Sequence, residues 1–275
     1  MTLLIVGGTG FLGTELVRQA TSTGHETVAT WATNPPDQRS PATWRKLDLR
    51  DKLQIHGLME QVRPQVVVNA SSGGSDWKIT AEGPIHLAIA AAKYDCRMVH
   101  VSSDAIFSGR IGRARYDEAC LPDPITPYGA AKAAAEAGVL AVHPEAVVGR
   151  TSLIIGHGHS EHERLVHDLA TGARDGALLV DDRRCPVHVC DLATALLELA
   201  TGPDTGVRHL AGPEAMSRHA LGVLIARRDG LDPSRLPPGR ARDINFKGAL
   251  DVQLDSRATQ NRLSTTLRGA NSFLA

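Results

Sequence analysis

Tyr128 and Lys132 stand four positions apart in PYGAAK (127–132), and Ser102 and Ser103 stand in VSSD at the end of an apolar run. On a helix, residues i and i+4 share a face, so the phenol and the ammonium would point the same way. A phenol with a pKa of ~10 is a slow acid–base group at neutral pH, and a nearby ammonium lowers that pKa. The chemistry this combination suits is carbonyl reduction beside a nicotinamide. Tyr128 would give the oxygen its proton, Ser103 would hold that oxygen, and Lys132 would hold the nicotinamide ribose. Taken singly, each residue has a plainer explanation: Tyr128 follows Pro127 at a helix start, Lys132 is solvated, and the serines finish a strand. The three together, in this order and behind a glycine loop, point to chemistry.

The glycine loop is IVGGTGFLGTELV, which sets Gly7, Gly10 and Gly13 at G-x-x-G-x-x-G directly after the first apolar run and at the start of a helical pattern. Residues without Cβ permit a tight turn and close approach to a pyrophosphate, and the helix N-terminus supplies amide donors and partial positive charge. That context predicts dinucleotide binding. NAD binders of this type place a carboxylate on the adenosine ribose about 20 residues beyond the glycines. Here Thr30 and Trp31 occupy that place. With no carboxylate to repel a 2′-phosphate, and with Arg39 near enough to pair with one, the reading leans to NADP(H). Asp37 on the same loop keeps NAD as the alternative. LDLRD, with Asp48 and Leu49, falls where a loop could close over the adenine.

These residues need a frame to hold them. TLLIVGG, HETVATWA, QVVVNA, RMVHVSS and EAVVGRTSLII read as strands. FLGTELVRQATSTG, DKLQIHGLMEQVRP, GPIHLAIAAAKYDC and the stretch from Pro127 to about Gly138 read as helices between them. Continuous Val/Ile runs alternating with helices predict an α/β fold with a doubly wound, parallel sheet. Residues 1–150 form the expected dinucleotide-binding domain. Residues 151–275 form a mainly substrate-binding region, some of whose segments return to the main sheet. The stretch 230–248, rich in Pro, Gly and Arg, reads as loop. At 275 residues the chain suits one large α/β unit or a main domain with a smaller partner. Lys plus Arg and Asp plus Glu are 30 each, so no basic field exists to gather nucleic acid or an anionic membrane. No apolar run approaches the ~18 residues of a membrane helix. The first strand begins at once, without signal-peptide character. Four cysteines at 96, 120, 185 and 190 show no disulfide or zinc spacing. A reduced, cytoplasmic protein is expected, with a small molecule as its partner and a homodimer as a compatible assembly.

At this point the chain resembles the extended short-chain dehydrogenase/reductase superfamily, and within it the dTDP-4-dehydrorhamnose reductase (RmlD-like) family. The segments that carry the resemblance run from residue 5 to about 212. They include GGTGFLG, LDLRDKLQIHGLMEQVRPQVVVNAS, MVHVSSDAIFSG, YDEACLPDPITPYGAAKAAAE, GRTSLIIG and LLVDDRRCPVHVCDLATALLEL. The resemblance implies a Rossmann domain holding NAD(P)H, a smaller C-terminal domain, and reduction of a 4-keto nucleotide sugar. It assigns Gly7, Thr9, Gly10, Phe11, Leu12 and Gly13 to the pyrophosphate loop, and Asp48 and Leu49 to the adenine. Ala70, Ser71 and Ser72 match the strand end beneath the cofactor, with Ser102 beside them. Ser103, Tyr128 and Lys132 match the catalytic set. RTS, Arg150 to Ser152, matches the strand passing the nicotinamide. Leu153 stands where the rhamnose enzymes carry tryptophan, NASSGG replaces NAAAYT, and the asparagine of the next helix is Thr80 or missing. Cofactor and chemistry therefore transfer better than the sugar, and a ketoreductase of specialised metabolism fits equally.

Other clusters compete for attention. GHGHSEHERLVHD gathers His157, His159, His162, His167 and Asp168. This stretch reads as a substrate-lining loop running into a helix, and no metal is expected. Cys185 and Cys190 read as buried or partly buried thiols. Of Arg183 and Arg184, the second is the candidate to hold a nucleotide diphosphate, with Ser152 and Leu153 as further substrate contacts. Two other functions use the same scaffold. A nucleotide-sugar dehydratase or epimerase with recycled NAD would want an acid after Asp104, where Ala105 stands. A non-catalytic NADP-binding subunit would have no use for a Ser-Tyr-Lys set.

Overall fold

The computed structural model describes residues 1–37, 39–110, 115–244 and 246–275, so position 38 of the 33–43 loop and position 245 of the 230–248 stretch fall outside the described residues. Seven parallel strands make the main sheet: β1 (Thr2–Val6), β2 (Glu26–Trp31), β3 (Thr43–Lys46), β4 (Val66–Asn69), β5 (Arg97–Ser103), β6 (Val147–Thr151) and β11 (Gly206–Leu210). Their spatial order is β11-β6-β5-β4-β1-β2-β3. The chain leaves β1 in one direction for β2 and β3, then crosses back to lay β4 on the other side of β1. This reversal opens a crevice at the strand C-termini, the place where open α/β sheets bind ligands. The register puts Val6 beside Asn69, and Ser103 beside Thr151, along that edge.

Helices cover both faces, as strands with continuous apolar runs require. α1 (Phe11–Ser22) and α6 (Val189–Thr201) lie together on one face, with Leu16, Val17, Leu192 and Leu196 packed on Leu3, Ile5 and Val68. α2 (Lys52–Val62), α3 (Gly83–Lys93) and α4 (Pro127–Val142) cover the other, with Ile55, Met59, Leu87 and Val139 on Leu4, Val67 and Met98. A separate apolar cluster joins α5 (Glu161–Thr171) to α7 (Arg218–Arg228) through Val166, Leu169, Leu221 and Ile225, with Leu153 and Ile155 at its boundary. Two-residue strands tie this part together: β7 (Ile154–Ile155) with β10 (Val187–His188), β8 (Leu178–Leu179) with β13 (Pro238–Gly239), and β9 (Arg183–Arg184) with β12 (Met216–Ser217).

Several elements differ from the sequence reading, each for a local reason. β3 has the polar sequence TWRK and no apolar run, and it is a strand because it pairs with β2 at the sheet edge. EAVVGRTSLII is broken at Ser152 and Leu153, so β6 ends where the chain turns into the cleft and β7 starts a new pairing. A π-helical turn (Lys78–Glu82) precedes α3, and α4 runs four residues past Gly138.

Candidate active site

The glycine turn is built from the backbone outward. Gly7, at φ 83°, ends β1. Its amide donates to Thr30 Oγ1 at 3.1 Å, while the Gly8 amide donates to the Thr30 carbonyl at 2.8 Å. A Cβ on Gly13 would sit 2.0 Å from the Gly7 carbonyl oxygen, so only glycine lets the helix start on top of the turn. The N-cap of α1 is Gly10, without a side-chain cap and without an acidic residue in the first turn. Its first amides thus face the crevice as anion donors.

Two hollows meet at this turn, sharing Gly10 and Ala70 to Ser72. The outer one, about 380 Å³, is lined by Gly7, Thr9, Thr30, Asp48, Leu49 and Arg50 among others. Leu49 is buried, and Asp48 accepts three hydrogen bonds from the Arg50 guanidinium at 2.8–3.1 Å. Thr30 lines this hollow, but its hydroxyl is committed to the Gly7 amide. Arg39 lies elsewhere. It pairs with Asp37 at 2.8 Å in an exposed position and lines another hollow of about 600 Å³ that also touches Gly8 and Thr9 of the turn, with Arg18 and Trp44. Arg50 is the arginine in the outer hollow itself, a residue the sequence pattern did not mark because it follows Asp48 rather than the second strand.

The inner cleft, about 710 Å³, collects Phe11, Leu12, Ser103, Tyr128, Lys132, Ser152 and Leu153. Thr126 caps α4 by accepting from the Gly129 amide at 3.1 Å, and Pro127 starts the helix. At Gly129 a Cβ would come 2.0 Å from the Ala105 carbonyl, so this glycine allows α4 to close on the end of β5 and bring Tyr128 up to Ser103. The Ser103 hydroxyl accepts from the Ala105 amide at 3.2 Å. Burial raises the Tyr128 pKa above its ordinary value, and the charge of Asp104 adds to this, against hydrogen bonds with Ser103 and Ser72. The expected lowering by Lys132 does not occur, because that ammonium is turned to the Val101 carbonyl at 2.9 Å. Burial brings the Lys132 pKa down to about 8, opposed by the charge of Glu136.

Below the cleft lies a buried polar network. Ser102 Oγ donates to Glu136 Oε1 at 2.5 Å, so this serine, at the cleft wall, also braces Glu136. Arg150 holds the same carboxylate through Nη2 at 2.8 Å and Nε at 3.1 Å, and its guanidinium lies 5.2 Å from the centre of the Phe107 ring. Ser71 Oγ donates to Asn69 Oδ1 at 2.6 Å beneath the glycine turn. Thr80 Oγ1 pins the next loop by donating to the Gly74 carbonyl at 2.9 Å.

The far wall is a relay of charges. Ser152 Oγ donates to Asp104 at 2.6 Å. Arg184, buried, reaches Asp104 at 3.4 Å and Asp182 at 2.5 Å, and donates to the Ala249 carbonyl at 2.6 Å. Both Ser152 and Arg184 therefore have their polar atoms occupied within the protein. Arg218 is more open: it pairs with Asp182 at 2.9 Å and contacts His162 Nδ1 at 3.1 Å. Burial, then the charge of Arg218, lowers the His162 pKa to about 4, which keeps the ring neutral. Of the histidine-rich stretch, only His162 reaches the cleft; His167 turns to Asp229 at 2.7 Å. Arg218 escaped the sequence reading because nothing near it in the chain signals a ligand.

A doubly wound parallel sheet with a glycine turn at its reversal point defines a Rossmann-type fold. The chain belongs to the RmlD substrate binding domain family, whose model matches residues 1–268. The dTDP-4-dehydrorhamnose reductase of Mycobacterium tuberculosis is 32% identical over 254 residues, covering 86% of this chain and 78% of that protein. The dTDP-4-keto-6-deoxy-D-glucose reductase of Streptomyces niveus is 28% identical, covering 86% and 81%. Among solved structures, the dTDP-4-dehydrorhamnose reductase of Bacillus anthracis in complex with NADP superposes with a TM-score of 0.84 at 19% identity, covering 99% of this chain and 96% of that one, a likeness of fold. Among the described residues, no helix is long and apolar enough to cross a membrane.

Proposed function

We propose that this chain is an NADPH-dependent ketoreductase that acts on a 4-keto nucleotide sugar, with Tyr128 as the proton donor. The observation that carries this reading is the convergence of Ser103, Tyr128 and Lys132 in a cleft that meets the glycine turn. The turn and the first amides of α1 fit a pyrophosphate, since any Cβ at Gly13 would fill the cradle. Gly7, Thr9, Gly10, Phe11, Leu12 and Gly13 would hold it, with Asp48 and Leu49 at the adenine and Lys132 at the nicotinamide ribose. The dinucleotide, when bound, supplies the hydride. Ser103 orients the ketone oxygen, and Tyr128 passes it a proton. The raised pKa keeps the Tyr128 phenol protonated at neutral pH, the form in which a donor starts, although it also makes the phenol a weaker acid. It suits a tyrosinate base less, and with Ala105 at the position of the expected acid it weighs against the dehydratase or epimerase reading. For the 2′-phosphate, Arg50 is better placed than Arg39. For a diphosphate, Arg218 is better placed than the buried Arg184. The reductases of Mycobacterium tuberculosis and Streptomyces niveus support the substrate class.

The test is consumption of NADPH, followed by absorbance, with dTDP-4-keto-6-deoxy sugars as acceptors. Turnover that disappears in Tyr128→Phe supports the reading. Tight NADPH binding with no turnover across a broad ketone panel overturns it in favour of a binding subunit.

A further inference from the structure

Outside the cleft, His157, His188 and Cys190 each offer one ligand atom, and these atoms all lie within 4.8 Å of one another. Cys190 Sγ is 3.7 Å from His157 Nε2. The two imidazole rings meet edge to face, 5.1 Å between centres. In a tetrahedral site with Zn–S of ~2.3 Å and Zn–N of ~2.0 Å, sulfur and nitrogen ligands stand about 3.5 Å apart. The separation found here is already close to that.

The fold sets these atoms in place without any metal. His188 is the N-cap of α6, and Cys190 lies in that helix's first turn, its amide 3.3 Å from His188 Nδ1. His157 sits on the loop between β7 and α5. The amides on either side of it, at Gly156 and Gly158, donate to the Glu163 carboxylate at 3.2 and 3.0 Å. Two ligands therefore come from one helix start and the third from a clamped loop, so little ordering entropy opposes binding. A hollow of about 500 Å³, bounded also by Arg228, Asp229, Arg268 and Phe273, leaves the fourth side open to water.

We propose that His157, His188 and Cys190 form a zinc site that ties the loop before α5 to the N-terminus of α6. Two imidazoles and a thiolate without a carboxylate select zinc over magnesium or calcium, which prefer oxygen. On binding, the Cys190 S–H bond breaks, its proton goes to solvent, and the Sγ–Zn bond forms. Burial, then Glu15, pushes the free Cys190 thiol up to about 11, with Arg18 and Asp191 also facing it. His188 Nδ1 faces the Cys190 amide at 3.3 Å, which leaves Nε2 as the ring atom to meet a metal. The tie matters to the cleft: a Cβ on Gly156 would lie 2.6 Å from Phe11 Cζ, so this loop backs the aromatic ring that lines the cofactor end.

The site does not depend on the proposed reaction, and its test needs no turnover. Chelator-treated full-length protein is titrated with Zn²⁺ and, separately, with Co²⁺. Expected are one equivalent of zinc, a rise in melting temperature, and a thiolate-to-cobalt absorption band. His157→Ala, at an exposed position, and Cys190→Ser, nearly isosteric, should each weaken binding by at least about tenfold. His159→Ala should leave it unchanged. Absence of stoichiometric metal, absence of the thiolate band, or wild-type affinity in Cys190→Ser would overturn the proposal, the last by placing the metal on surface histidines.

Discussion

Around the inner cleft, the polar groups are buried and bonded within the protein: Ser102 to Glu136, Glu136 to Arg150, and Lys132 to the Val101 carbonyl. In the outer hollow and on the loop after β2 they are paired in water: Asp48 with Arg50 and Asp37 with Arg39, each carboxylate and guanidinium two residues apart. The first arrangement cannot change without leaving a charge stranded in apolar surroundings. The second can rearrange at little cost, because exposed pairs are screened and flexible. The inner cleft is over-determined. The outer region, with its exposed pairs, leaves its side chains free to adjust.

The largest test of this contrast is Tyr128→Phe, which should lower kcat by about 10²–10⁴-fold, the range for losing a positioned proton donor, while NADPH binding by fluorescence stays close to wild type. A comparable fall in cofactor affinity would show that the phenol serves binding instead. Next comes Arg150→Ala, which strands the Glu136 carboxylate at a side-chain exposure of 4% and should cost about 3–5 kcal/mol in urea unfolding. A loss below about 1 kcal/mol would mean that the buried end is no more rigid than the exposed one.

A subtler effect is expected from pH. Lys132 titrates near 8 in the fold against 10.5 in the unfolded chain, so between those values the unfolded chain holds more protons. The contribution of this group to stability therefore grows as pH rises through that window, while the folded protein loses its ammonium above about 8. Lys132→Met should flatten the stability slope from pH 8 to 10.5; an unchanged slope would assign it to other groups. The smallest effects belong to the outer pairs. Arg39→Ala should leave the melting temperature unchanged within error and KM for NADPH within about twofold, whereas Arg50→Ala should raise that KM several-fold. The reverse order would return the 2′-phosphate to the long loop.

The frame was readable because its signals are local. Apolar runs such as LLIV and VVV can only be strands covered on both faces, and the glycines at 7, 10 and 13 announce a turn against a helix start. Tyr128 and Lys132 were found for the same reason, since four residues on a helix settle which face they share. β3 was missed because TWRK carries no apolar signal and is a strand only through its neighbour. Ser102, Ser152 and Arg184 were legible as residues near the site, but their use was not: each has its polar atoms taken by a partner 34 to 65 positions away.

Residue type and spacing thus determined, unaided, a parallel α/β sheet, a dinucleotide turn, and a phenol and an ammonium on one helix face. Tertiary structure alone decided which hydroxyls remain free, which arginine reaches which hollow, and how acidic the phenol is. It also carried His157 across to His188 and Cys190, away from the histidines beside it in the chain. The physical reason is that hydrogen-bond saturation and desolvation depend on what surrounds a group in space, and chain distance carries little of that information.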